Sequence, residues 1–182
     1  MYDIIGISEG KEPSVWNFTV TEGNKLNYSI ELNSDEYHLK GYGPNGFFRE
    51  FKGISYKNEV SVKLNPVANP LHLQFLIANS SKEKLNISIV ANSYKKEKNE
   101  FKLKNAAKEI LLDLKSTSGW YDFSVKIAEY PEFEQRFAGH VENGKVSSTD
   151  PLMGGVLQYR VIVRILQRFG RRIGNQLYLG LI

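Results

Sequence analysis

The chain contains no cysteine, which removes disulfides, thiolate nucleophiles and cysteine-ligated metals from consideration while leaving the compartment open. Histidine is scarce: His38, His72 and His140 are all there are. No two of them stand at an HxH or HxxxH spacing, and no carboxylate lies in a recognisable relation to them, so no metal site can be argued. A nucleophile-elbow GxSxG, a Walker-type loop and a properly flanked GxGxxG are all missing. The carboxylates are scattered through turns and polar faces, and no pair of them reads as general acid and base. The sequence therefore offers no catalytic residue, no metal ligand and no cofactor. No apolar run is long enough to span a bilayer, and residues 1–20 have neither the basic start nor the apolar middle of a signal peptide.

Two further absences locate the charge. All 17 lysines lie at or before Lys145, and the last acid is Asp150. Residues 1–150 carry 19 basic and 20 acidic groups, so the body is nearly neutral; the net charge of +4 comes from Arg160, Arg164, Arg168, Arg171 and Arg172. A basic total that belongs to a tail does not describe a nucleic-acid-binding domain, and no nucleic-acid partner is expected.

What the sequence has in abundance is alternation of period two, the mark of half-buried strands. Leu71, Leu73, Phe75 and Ile77 share one face, as do Leu85, Ile87 and Ile89, and Val60, Val62 and Leu64. Ile110, Leu112 and Leu114 make another stripe, and Trp120 to Ile127 reads as a further strand. In "KNAAKEILLDL" (104–114) the first part reads as a turn and the rest as a strand. Turn-like clusters fall at Asn65–Pro70, Asn79–Lys82, Lys95–Asn99 and Thr117–Gly119. Short strands at this spacing point to an all-β, antiparallel, immunoglobulin-like β-sandwich.

The chain also matches itself. "FTVTEGNKLNYSIELNS" (18–34) aligns with "FKLKNAAKEILLDLKS" (101–116), "EYHLKGY" (36–42) with "WYDFSVK" (120–126), and "FFREFKG" (47–53) with "FEQRFAG" (133–139), at offsets of 82 to 86. Three segments are expected from this. Residues 1–53 are the back end of a first β-repeat, packed on or leading into the second. Residues 54–155 form a complete domain, and residues 156–182 are a tail. The chain is expected to begin partway through a tandem pair.

Within "GYGPNGFFREFKG" (41–53), Gly43-Pro44-Asn45-Gly46 reads as a hairpin turn between strands 36–42 and 47–52. Proline is expected to fix a φ angle there, and Asn and Gly to take the left-handed conformation. Phe47 and Phe51 share one parity and recur in the second copy, which assigns them to the core; Phe48 has the other parity. A rim of Phe48, Arg49, Trp120 and Arg136 is the candidate surface for a lipid or a partner domain, with packing between units as the competing reading. The histidines are expected to face solvent or hydrogen-bond. The tail reads as a cationic amphipathic helix, as a strand, or as a segment not native to the fold, the last being favoured.

At "YGPNGFFREFKG" (42–53), "GWYDFSVKI" (119–127) and "FEQRFAGHVENGKVSSTDPLMGG" (133–155) the chain resembles the C-terminal region of bacterial phosphocholine-specific, non-haemolytic-type phospholipases C. The resemblance covers about residues 14–155 and implies a tandem pair of small β-domains behind a phosphoesterase domain. That domain would be the partner and would hold the catalytic machinery, since no family catalytic residue maps onto this chain. It further implies hydrolysis of phosphatidylcholine or sphingomyelin by the parent enzyme, and an extracellular or periplasmic location. The chain's own role is then expected to be accessory and non-catalytic; a lipid- or carbohydrate-binding module is the alternative. Residues 156–182 depart from the family pattern.

Overall fold

In a computed structural model of the chain, the residues described are 1–7, 12–21, 26–31, 34–57, 59–67, 71–142 and 148–152. They divide into two units, Met1–Ser148 and Thr149–Ile182. The first carries eleven strands: β1 Tyr2–Gly6, β2 Ser14–Phe18, β3 Glu36–Tyr42, β4 Phe48–Ile54, β5 Val60–Pro66, β6 His72–Asn79, β7 Leu85–Ala91, β8 Lys98–Leu103, β9 Ala106–Asp113, β10 Trp120–Ile127 and β11 Tyr130–His140. In the second unit Asp150 accepts a hydrogen bond from the Leu152 amide (2.9 Å), and residues 156–182 lie outside the described residues.

The strands form two antiparallel sheets. Eight lie in the order β2-β1-β3-β4-β11-β10-β7-β8, and three in the order β5-β6-β9. From β5 onward, three strands face four with the connectivity of an immunoglobulin-like sandwich, as the alternation predicts. Leu73, Phe75 and Ile77 of β6 alternate with half-buried residues, because one face of the small sheet lies on the large one. Phe75 meets Phe137 edge-on at 5.4 Å and Phe123 at 6.3 Å. Among the described residues, the buried apolar core lies wholly between Val60 and Phe137.

Most stripes fall where the sequence puts them, with local corrections. β5 runs on through Pro66, and β8 has begun by Lys98, so the turn-rich composition at 65–66 and 98–99 gives way to ladder pairing. Leu71 precedes β6, and Leu114 is fully buried just past the end of β9. The bend at Lys104–Asn105, with Asn105 at φ 42°, separates β8 from β9.

The turn from β3 to β4 is closed by the Phe47 amide donating to the Pro44 carbonyl (3.0 Å). Asn45 and Gly46 have φ of 54° and 70°, the paired left-handed residues that twist-matched hairpins require. Proline stands ahead of them, at the first turn position, so it does not set a central φ as expected. Phe47 precedes β4 and is half-buried against Tyr2 (5.5 Å), not in the core; Phe51 reaches the core's edge through Phe137 (6.0 Å).

The recurring Phe-x-Gly has a packing cause. Tyr37 pairs with Gly53, and Tyr121 with Gly139, across neighbouring strands. A Cβ at Gly53 would stand 2.7 Å from the Tyr37 hydroxyl, and one at Gly139 3.0 Å from that of Tyr121. Each tyrosine lies over a missing side chain.

Because Phe75 fills the space between the sheets, Phe75→Ala is expected to cost about 3–5 kcal/mol in denaturant unfolding. Leu111, 59% exposed on the outer side of β9, is expected to tolerate alanine within about 0.5 kcal/mol. Similar costs at the two positions would contradict this placement of the core.

Candidate functional site

Strand parity places alternate residues of β3, β4, β11 and β10 on the uncovered face of the long sheet. Across it runs a band of paired charges. Glu50, only 6% exposed, receives His38 Nε2 at 2.6 Å, Lys52 Nζ at 3.4 Å and Lys40 Nζ at 3.8 Å. Burial alone would raise its carboxyl, but the His38 hydrogen bond and the two lysines together outweigh that and hold it below the usual range. One strand over, Arg136 donates to both oxygens of Asp122, Nε and an Nη each at 2.7 Å. Asn92 and Ser93 donate to the same carboxylate at 3.0 Å. Asp122 is likewise held low despite burial, by these donors and the guanidinium charge, and its carboxylate raises Arg136 in return. Ser124 donates to Glu134 (2.8 Å), which Lys126 also approaches (3.4 Å).

Glu50 and Arg136 stand opposite each other in the β4–β11 ladder. They also occupy equivalent places in the self-match, as do His38 and Asp122. The two pairs are thus base–acid in one half and acid–base in the other. That reversal is the signal by which the band could have been found from the sequence, since "EYHLKGY" and "FFREFKG" already align with its second half.

Of the four residues of the expected rim, three share this face. Phe48 is half-buried between Tyr42 (centroids 5.1 Å apart) and the Arg136 guanidinium, 5.3 Å from its ring. Trp120 rests on His140 (4.8 Å) and near Tyr94 (6.3 Å), and its indole N–H donates to the Ser148 carbonyl (3.0 Å). Its ring covers Gly46, where a Cβ would come within 2.9 Å. The tryptophan therefore clamps the β3–β4 turn.

Arg49 does not belong to the rim. It has the parity of Phe47 and Phe51, and so turns to the opposite face. There it donates to the carbonyls of Phe48 and Ala138 (2.8 Å each) and to the Tyr121 hydroxyl (3.1 Å), 4.3 Å from the Phe47 ring. Arg49 ties β4 to β11 and β10.

The histidines divide. His38 joins the charge band, and His140 donates from Nε2 to the Ser118 carbonyl (3.0 Å). His72 is different: its Nδ1 is buried with no hydrogen-bond partner. Among the described residues no group of three His, Asp or Glu is placed to hold a metal.

On the inner face a groove of about 360 Å³ runs over β1, β3 and β4. Its floor includes Tyr2, Ile4, Leu39 and Phe51, and residues 26–30 form part of its wall.

The fold defines an immunoglobulin-like sandwich whose large sheet is extended by four more strands, and whose outer charges neutralise one another. The family described as "Bacterial phospholipase C, C-terminal domain" matches residues 7–54 and 58–140, and the chain belongs to that family. It is 27% identical over 168 residues to a non-hemolytic phospholipase C of Pseudomonas aeruginosa, covering 85% of this chain and 24% of that protein. A hemolytic phospholipase C of the same species is 35% identical over 144 residues (73% and 19%). A non-hemolytic phospholipase C of Burkholderia pseudomallei is 32% identical over 149 residues (76% and 21%). The chain spans at most a quarter of the length of these relatives.

Both depressed carboxyls bind protons more weakly folded than unfolded. Their contribution to stability is complete above the ordinary carboxylate range and is lost as pH falls below about 4, through the folded values. Unfolding free energy measured from pH 7 to pH 3 should decline accordingly. Asp122→Asn should lower it by about 1–3 kcal/mol at pH 7 and flatten the acid slope; an unchanged slope would mean that the Asp122–Arg136 pair contributes nothing.

Proposed function

We propose that this chain is an accessory, non-catalytic module of a phospholipase C acting on phosphatidylcholine or sphingomyelin. In this reading it supports a phosphoesterase domain or presents it to a membrane, outside the cytoplasm. The observation that carries it is the closure of the charge band. The ionisable groups concentrated on the sheet face satisfy each other across neighbouring strands, as in a structural ladder. Three relatives named as phospholipases C, each several times longer than the matched region, support the same reading. Residues 54–155 are then one complete domain, residues 1–53 the end of a preceding copy, and residues 156–182 an added basic tail.

A phosphatidylcholine hydrolysis assay on the chain is expected to give no turnover above buffer. Turnover abolished by a single substitution would refute the accessory role. A lipid- or carbohydrate-binding module is the second reading, favoured by the half-exposed cluster of Tyr42, Phe48 and Arg136. It requires that phosphatidylcholine vesicles co-sediment the chain and that Phe48→Ala weaken this; no co-sedimentation leaves the supporting role.

A further inference from the structure

We infer that β2, an unguarded edge of the long sheet, is an interface for a second copy of this chain. The two β2 strands would pair antiparallel about a two-fold axis, joining two long sheets into one. Among the described residues the long sheet ends in β2 on one side and in β8 on the other. A strand edge offers a row of unpaired backbone donors and acceptors, and charged side chains are a common means of keeping it from another chain.

The two edges differ in that respect. In β8, Lys98, Glu100 and Lys102 alternate along the exposed side. Lys98 and Glu100 pair at 2.6 Å, and the Lys108 ammonium stands 4.4 Å from the centre of the Phe101 ring. β2 has the opposite character. From Pro13 to Thr21 the sequence carries no charge, and Val15, Trp16, Phe18, Thr19 and Val20 all favour extended pairing. Pro13 lies ahead of the strand, and the ladder with β1 runs without a bulge from Gly6–Ser14 to Tyr2–Phe18. The Asn17 side chain donates to Asp3 of β1 (2.8 Å), which draws it away from the open side.

Exposed apolar side chains gather at the same edge. Val15, 56% exposed, has the parity of the outer face. On the inner side Phe18 packs against Tyr28, with ring centroids 5.1 Å apart, and Tyr28 and Leu26 are 60% and 53% exposed. An apolar fringe on both faces of an uncharged edge is what strand addition buries.

A second copy is the occupant this edge selects. An antiparallel ladder reads the same from either strand, so β2 is complementary to itself. About Trp16, Val15 faces Asn17 of the second copy and Ser14 faces Phe18 of the second copy. Residues opposite each other share a face, so the apolar fringes of the two copies meet. The body of the chain is nearly neutral, so the copies approach without net repulsion. Such an isologous contact closes on itself, and the edges left at the two far ends are the charged β8 strands. The ladder is only five residues long, which puts the association in the weak class.

Sedimentation of the full chain at concentrations up to about 100 µM should show a monomer–dimer equilibrium. Val15→Lys should weaken it by about tenfold or more. Leu111→Lys, at a similarly exposed apolar position on β9 (59%), should leave it unchanged. Hydrogen exchange at residues 14–18 should slow with rising concentration in the unaltered chain but not in Val15→Lys, while β10 amides stay protected in both. A chain that remains monomeric throughout overturns the inference. So does a dimer that survives Val15→Lys or leaves residues 14–18 unprotected, because the contact would then lie elsewhere. Growth into filaments overturns it too, since the contact would then not close at two copies.

Discussion

The structure depends on the ladder between β4 and β11. Without it there are two separate objects: a seven-stranded sandwich with its own core, and a four-stranded sheet with a single layer. A lone layer of that size has an apolar face and little to bury it against. The ladder runs from Phe48–Ala138 to Lys52–Glu134, with Glu50 facing Arg136 at its centre, and turns the two objects into one continuous sheet. Arg49 reinforces it from the inner face, donating to the Ala138 carbonyl and the Tyr121 hydroxyl. The Trp120 ring reinforces it from the outer face by covering the turn at Gly46.

This arrangement explains why polar residues concentrate on one face and apolar residues divide between a filled core and an open groove. Among the described residues the outer face of the long sheet has no second layer, so charge there is cheap, and opposite charges across strands add modest stability. Among the described residues the inner face has its second sheet over β7, β10 and β11. The aromatic residues follow the same division. Phe75, Phe123 and Phe137 lie inside, while Tyr2 and Phe47 pair with each other over the groove.

The sandwich itself is legible in the sequence because period-two alternation survives wherever one face is covered. β6 and β7 are read with their faces correct, and β10 with its ends. β1 and β2 carry no such signal: "YDIIG" and "SVWNF" are short, and their inner face lacks a full covering layer. The site was half legible. Parity separated Phe48 from Phe47 and Phe51, but it also puts Arg49 with the latter pair, which removes it from the rim. The partners of His38 and Arg136 were hidden because register between distant strands is not a local property. Only the charge reversal between the two self-matching segments hints at it. Asn45-Gly46 was readable as a turn, whereas the role of Trp120 as its cover was not.

Native-state hydrogen exchange resolved along the chain tests most directly whether the β4–β11 ladder makes the two halves one folding unit. Amides of β4 that donate across to β11 should exchange with the same denaturant dependence as those of β10, opening together with the sandwich. If β3 and β4 exchange as rapidly as an unfolded segment while β10 remains protected, the halves are independent and the ladder does not join them.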